Sequence, residues 1–207
     1  GSTDASLAGV EHHPMLWLAL FSVATLLVAL GVFIVVARIR FERRVGRELR
    51  ALLAVAPAAP SASAPAALPA PVERYRQLAV GSHAPVQTVR LRHGGTFRMS
   101  ATGKALPIRG MQLFTADPPG FVWTGHVRMF PGVWVDARDL SIDGKGSMRV
   151  LVDDVVPVAD VQGAQIDQGS ALRLLAEMVW YPTALFDERY VTWTAIDADH
   201  ARATLRM

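Results

Sequence analysis

"MLWLALFSVATLLVALGVFIVVA", residues 15–37, contains no charged side chain over 23 consecutive positions. As an α-helix this stretch would be about 34 Å long, enough to cross the hydrocarbon core of a bilayer. Its six leucines, five valines, two phenylalanines and one isoleucine each favour insertion by about 0.3 to 0.6 kcal/mol. The stretch therefore predicts a transmembrane helix over residues 14–37.

Six arginines follow directly, in "ARIRFERRVGRELR", residues 37–50, whereas residues 1–13 contain no lysine or arginine. By the positive-inside rule, the N-terminal segment 1–13 lies outside and the rest of the chain faces the cytoplasm. A cleaved signal peptide would carry its basic residues before the apolar run. The predicted membrane anchor consists of Trp17 at the outer interface and Arg38, Arg40, Arg43, Arg44, Arg47 and Arg50 at the inner one.

Residues 38–54 have helical periodicity, which predicts a basic juxtamembrane helix that continues the span. Val45, Leu49, Leu52 and Leu53 form one stripe, and most of the arginines form another. Two interpretations remain open for the basic stripe. It sets topology alone, or it also binds anionic lipids, at about 1 kcal/mol per arginine near the surface.

A linker rich in proline and alanine is predicted over residues 55–71, "VAPAAPSASAPAALPAP". Proline at this density favours an extended chain of about 3.1 Å per residue, so the linker would hold a domain up to about 50 Å from the helix end. Residues 72–207 are enough for one β-rich globular domain. The chain ends within a strand pattern, and we expect further strands beyond it.

The period changes to two within this domain, which indicates strands separated by Gly- and Pro-containing turns. "HGG" at residues 93–95 is predicted as a hairpin turn, and "SMRVLVDDVV" at 147–156 as one strand. Short helical patterns cover residues 71–79 and 170–185, the second with Asp167 or Ser170 as cap and an apolar face that includes Leu172, Val179 and Trp180. The fold class predicted is α+β: one transmembrane helix, then a mainly antiparallel, curved, half-barrel-like sheet with one amphipathic helix packed on it.

Neither the composition nor the spacing of polar residues indicates catalysis. The chain has no cysteine, and its six histidines lack metal-binding spacing, so we predict no catalytic residues, metal site or cofactor. The carboxylates at residues 136–143 and 153–154 are interpreted as solvated edge charges rather than a paired acid and base. From residue 72 onward, 15 basic against 14 acidic side chains leave no basic surface for nucleic acid.

Four tryptophans are candidates for lining an apolar cavity between the sheet and its helix: Trp123, Trp134, Trp180 and Trp193. Ligand cavities are concave and rich in aromatic side chains. Packing in an ordinary core explains the same residues, and the sequence leaves both interpretations open.

Five strings carry a resemblance: "LPAPVERY" (68–75), "DPPGFVW" (117–123), "DGKGSMRV" (143–150), "LRLLAEMVWYPTAL" (172–185) and "VTWTAIDADHARATL" (191–205). Together they resemble an uncharacterised bacterial family with a domain of unknown function, which implies no catalytic residues. The strand pattern is also similar to the half-barrel fold of bacterial lipoprotein carriers, which implies an apolar cavity. The layout of span and β-rich domain resembles the H subunit of photosynthetic reaction centres.

The function expected from these features is a non-catalytic accessory subunit in the bacterial inner membrane that docks on and stabilises a larger integral membrane complex. The alternative is a membrane-tethered carrier for a lipid or another hydrophobic ligand. An enzyme is not expected. The partners predicted are an integral membrane complex and anionic lipids, with no nucleic acid.

Overall fold

Helix α1, Pro14–Ala54, joins the apolar stretch and the arginine-rich segment in one uninterrupted helix of 41 residues, about 61 Å long. The computed structural model describes residues 14–56 and 67–207, so the N-terminal segment and most of the linker lie outside the described residues. The apolar part of α1 has a mean hydropathy of 2.8, and none of it is buried against the rest of the protein. It is long and apolar enough to cross a membrane.

Six antiparallel strands form one meander in which the spatial order is the chain order. They are β1 Thr88–Phe97, β2 Leu106–Ala116, β3 Pro119–Phe130, β4 Val133–Ile142, β5 Lys145–Val152 and β6 Val156–Gln162. The sheet is curved and open, because β1 and β6 do not pair with each other. Helices α2 Ala70–Ala79 and α3 Ala164–Glu177 and a separate hairpin of β7 Val191–Ala195 and β8 Ala201–Leu205 complete the fold. The predicted α+β class is confirmed.

The predicted hairpin turn at residues 93–95 is wrong, because strand β1 continues through it, and Gly94 pairs with Arg109. Glycine is needed on the neighbouring strand instead, where a Cβ on Gly110 would come within 2.2 Å of the His93 ring. Trp123 holds that ring, because its Nε1 donates to His93 Nε2 at 2.8 Å. Glycine in a strand often marks such a close approach rather than a turn.

The prediction of one strand over residues 147–156 is also wrong, because the chain reverses at Asp153 and Asp154. Their φ angles are 50° and 61°, and Asp143 and Gly144 in the correctly predicted β4–β5 turn have 50° and 72°. Positive φ at two adjacent positions is typical of tight hairpin turns, and aspartate tolerates it better than most residues. The Asp-Asp pair therefore lies in a turn that separates β5 from the unpredicted strand β6.

Helix α3 confirms that a helix packs on the sheet, but it begins earlier than predicted and buries a different stripe. Its N-cap is Gly163, and two 3-10 turns, Met178–Trp180 and Pro182–Phe186, replace its predicted C-terminal end. The buried stripe is Ser170, Leu174 and Met178, whereas Leu172, Val179 and Trp180 are more than half exposed. The stripe is rotated because α3 approaches β5 closely: a Cβ on Gly146 would lie 2.6 Å from both Ser170 Oγ and the carbonyl oxygen of Ile166.

Both faces of the sheet are packed, because adjacent residues of a strand point to opposite faces. On one face, Phe114 and Phe121 join the core formed by α2, α3, the 3-10 turns and β7. On the other face, Leu113, Val122 and Leu140 enclose Leu52 of α1, which is only 1 % exposed. The end of α1 is thus part of the domain core, and the sheet is not held away from α1 by the linker.

Replacing Leu52 by alanine tests whether the end of α1 belongs to the core. We expect Leu52→Ala to lower the free energy of unfolding of the full chain in detergent by about 2 to 4 kcal/mol, because it leaves a cavity. The neighbouring Leu53 is 42 % exposed, so Leu53→Ala is the matched control, with a change within about 0.5 kcal/mol. Denaturant unfolding followed by tryptophan fluorescence measures both, and equal losses would contradict this packing.

Candidate functional site

The junction of α1 with the sheet contains the most unusual polar chemistry among the described residues. Gly120 on β3 leaves room for α1, since a Cβ at this position would lie 2.8 Å from both Leu52 Cδ1 and the carbonyl oxygen of Ser141. This close approach brings the charged side chains of α1 onto the polar positions of β4 and β5. Two groups of charges result, one around Arg138 and one around Asp154.

Arg138 on β4 lies almost completely buried beneath α1, with its side chain 1 % exposed and its Nε 3.2 Å from Glu48 Oε2. Its Nη1 also donates to the carbonyl oxygen and the Oγ of Ser147, at 2.8 and 2.7 Å. Burial lowers the pKa of Arg138, while the charge of Glu48 opposes that shift. Removing one partner of such a buried pair leaves an uncompensated charge and costs about 3 to 5 kcal/mol.

The second group, which we call the junction cluster, lies where α1 leaves the sheet: Arg38, His126, Trp134, Asp136 and Asp154. His126 Nδ1 lies 2.9 Å from Asp136 Oδ1. Arg38 Nη1 lies 3.8 Å from Asp136 Oδ2 and 3.6 Å from Asp154 Oδ2. The same guanidinium lies 5.9 Å from the centroid of the Trp134 ring, so it contacts both an aromatic face and two carboxylates.

Asp154 has the most perturbed carboxyl group of the cluster. Its side chain is fully buried, and its Oδ1 has no hydrogen-bond partner among residues 14–56 and 67–207. Burial and then repulsion by Asp136 raise the pKa of Asp154 to about 6, against opposing contributions from the Trp134 indole and Arg38. The interpretation of residues 136 and 154 as solvated edge charges is therefore wrong: the tight turn at Asp153 and Asp154 folds the second carboxylate back under α1.

On the opposite face, Arg173 of α3 fastens the helix to the sheet. Its Nη1 donates to Asp139 Oδ2 at 2.6 Å and its Nε to Glu177 Oε1 at 3.1 Å. The guanidinium lies 4.9 Å from the centroid of Phe121 and 5.2 Å from that of Trp123. Burial raises the pKa of Asp139 and Arg173 opposes the shift. The arrangement pairs every charge with a partner and serves packing.

The four tryptophans proposed for an apolar cavity do not meet around one space. Trp123 contacts Arg173 on the α3 face, whereas Trp134 contacts Arg38 and Asp154 on the α1 face. Trp193 packs on the α3 core, where its Nε1 donates to the Leu185 carbonyl at 2.8 Å. Trp180 is 53 % exposed at the edge of Phe114. The sheet itself separates Trp123 from Trp134.

The predicted anchor residues lie in four different places. Trp17 is 66 % exposed on the apolar part of α1, and Arg38 belongs to the junction cluster. Arg50 lies with Glu42 in a shallow depression on the outer surface of α1. The remaining four line a groove between α1 and the β5–β6 hairpin: Arg40, Arg43, Arg44 and Arg47.

Sequence reasoning missed Glu48, Arg138 and the burial of Asp154. The sequence gives a weak indication that Glu48 is partly buried, because it is one of only two acidic residues within the arginine-rich segment and adjoins Leu49 of the apolar stripe. Arg138 and Asp154 gave no signal, because alternating charged residues on a strand look the same when exposed. Among residues 14–56 and 67–207, no group of three or more His, Asp or Glu side chains is arranged to hold a metal ion.

The fold and the junction define an α+β protein with a candidate membrane-spanning helix whose end is built into the sheet. Residues 58–207 match the family described as "Family of unknown function (DUF6544)", and the chain belongs to that family. The match confirms the expected resemblance to an uncharacterised domain family. Neither the curated proteins nor the solved structures compared with the chain contain a match.

Asp154→Asn tests the buried carboxyl group through the pH dependence of stability. The folded-state pKa of about 6 exceeds the ordinary 3.8, so protonation favours the folded state. That contribution is complete below about pH 4 and is lost as the pH rises through 6. We therefore expect the variant and the wild type to be similar at pH 4, and the variant to be more stable by about 1 to 3 kcal/mol at pH 8.

Thermal unfolding of the full chain in detergent between pH 4 and pH 8 measures this difference. Asp143→Asn is the control, because Asp143 is also a positive-φ aspartate of a hairpin turn, with φ of 50°, but is exposed. The pH profile of Asp154→Asn is compared with that of this exposed variant. A pH-independent effect of Asp154→Asn would contradict the assignment.

Proposed function

We propose that the chain is a non-catalytic, single-pass accessory subunit that docks on a larger integral membrane complex and stabilises it. The observation that carries this proposal is that α1 is both the candidate span and part of the domain core, through Val45 and Leu52. A membrane protein that packs against the span also fixes the position of the sheet. Binding in the membrane and binding at its surface are thereby coupled through one rigid helix.

The span itself offers a surface for such a partner. Its large apolar side chains, among them Leu20, Leu26 and Phe33, are more than half exposed. Gly31 has open space where a Cβ would stand, and Ala24 lies two turns earlier on the same side of the helix. Small residues on one side of a helix let a second helix approach closely.

The sheet offers a second surface at β6. Within the described residues this strand pairs with β5 alone, so its other edge is open. Val156 and Val158 are 56 % and 65 % exposed on it. An open edge with apolar side chains suits a partner that adds a strand or packs on the valines. The β5–β6 turn holds Asp154, which meets Arg38 of α1, so β6 begins beside the end of the span.

The alternative, a membrane-tethered carrier of a hydrophobic ligand, has less support. The carrier was expected to enclose its ligand among four tryptophans, and Trp123 and Trp134 lie on opposite faces of the sheet. The aromatic side chains of the α3 face fill the core around Phe114 and Tyr181 instead. These positions favour the accessory subunit.

The proposed location is the bacterial inner membrane, with the N-terminus outside and the sheet in the cytoplasm. The arginines at one end of the span support this orientation through the positive-inside rule. The chain has no cysteine, so single cysteines report it cleanly. In intact cells, Ser6→Cys should react with an impermeant thiol reagent, and Ser82→Cys should react only after permeabilisation. The reverse pattern would overturn the orientation.

Native gel electrophoresis of mildly solubilised membranes, with mass spectrometry of the band that contains the chain, tests the function. We expect co-migration with one defined large complex, and a photosynthetic complex is the candidate suggested by layout. Paired Val156→Asp and Val158→Asp substitutions should weaken co-migration, because they place charge at the open edge. The matched control, Leu78→Asp on the 87 % exposed Leu78 of α2, should not. Migration of the wild type as a lone monomer would contradict the proposal.

A further inference from the structure

A groove of about 550 Å³ lies between α1 and the β5–β6 hairpin, and we call it the arginine groove. Its basic lining consists of Arg40, Arg43, Arg44, Arg47 and Arg149. Its apolar lining consists of Phe33, Val36, Ala37, Phe41, Leu151 and Val155. Along α1, the apolar lining begins within the candidate span and the arginines follow it. This is the order in which a phospholipid presents its acyl chain and its headgroup.

Positive charge in the arginine groove is poorly compensated. Among the described residues, Arg40, Arg43 and Arg47 form no ion pair or hydrogen bond through their side chains, whereas Arg44 pairs with Glu48 at 3.3 Å. Asp154 is the one acidic residue of the described lining, and its carboxylate interacts with Arg38 outside the groove. An anion that enters the groove would therefore meet several guanidinium groups without displacing an existing partner.

Arg149 makes the groove a feature of the tertiary structure rather than of α1 alone. It projects from β5, and its Nη1 lies 3.2 Å from Asp160 Oδ2 on β6. Its Nε is buried and has no hydrogen-bond partner among the described residues. A buried donor without a partner costs about 1 to 3 kcal/mol, so a shift of the Arg149 side chain toward a bound anion would recover that cost. Guanidinium groups match the geometry of phosphate oxygens through two parallel hydrogen bonds.

We propose that the arginine groove binds one anionic phospholipid, with its phosphate among Arg40, Arg47 and Arg149 and an acyl chain along Phe33 and Val36. The apolar half of the groove is what selects a lipid over a free phosphate. The site goes beyond the proposed accessory function and does not depend on it, because the chain would bind the lipid by itself. A bound lipid would also link the span to β5 and fill the space beside the junction cluster.

Native mass spectrometry of the detergent-solubilised full chain, titrated with phosphatidylglycerol, tests this site. We expect one retained molecule, with phosphatidylcholine retained at least about tenfold less. The variant R40Q/R47Q/R149Q should lose about 10- to 100-fold in affinity for phosphatidylglycerol. The control R74Q/R90Q/R202Q removes the same charge from exposed residues outside the groove and should change the affinity less than about twofold.

The outcomes separate a lipid site from other anion sites. Equal losses in the two triple variants would overturn the proposal, because they indicate general attraction between charges. If inorganic phosphate bound as tightly as phosphatidylglycerol, the proposed role of the apolar lining would be overturned. If an acidic peptide bound more tightly than phosphatidylglycerol, the groove would be assigned to a protein partner instead. The variant R40Q/R47Q changes only exposed positions of α1, so it serves as a second test if Arg149→Gln perturbs β5. We expect it to lose about tenfold in affinity for phosphatidylglycerol. Co-migration with a membrane complex is measured separately, so failure here leaves that result unchanged.

Discussion

The packing of the last three turns of α1 against β2, β3 and β4 is the constraint on which the rest of the structure depends. Leu52 fills the apolar contact, and Glu48 meets the buried Arg138. Neither contact tolerates separation, because withdrawing α1 would expose apolar surface and leave Arg138 without its carboxylate. The end of α1 is thus both the continuation of the candidate span and one layer of the domain, and every surface of the sheet has a defined position relative to that span.

This constraint explains the distribution of polar residues around the junction. Arg138 is tolerated in the interior because Glu48 and Ser147 pair with it, whereas Asp154 is buried with one acceptor oxygen unpartnered within the described part of the chain. Both the β4–β5 turn and the β5–β6 turn use positive-φ aspartates, but their surroundings differ: Asp143 faces solvent and Asp154 lies beneath α1. The same turn chemistry therefore produces an ordinary loop at one position and a perturbed carboxyl group at the other.

The functional proposals follow from the same geometry. In the proposed accessory role, a helix that is continuous from the apolar span into the core would transmit the position of a membrane partner to the sheet. The arginines of α1 line a groove only because β5 lies beside them and contributes Arg149. An isolated basic helix would present its charges to the whole membrane surface, whereas the folded chain presents several of them around one space.

The sequence by itself determined the candidate span, the α+β class and most of the turns, because these features depend on local composition and periodicity, as in residues 15–37. The family was expected from a resemblance of strings such as "DPPGFVW". Only the tertiary structure decided that α1 packs on the sheet, that Trp123 and Trp134 are separated, and that Asp154 meets Asp136 under Arg38. These facts depend on which face of a strand a distant helix covers, and alternation along a strand is the same whether its polar face meets water or a buried partner.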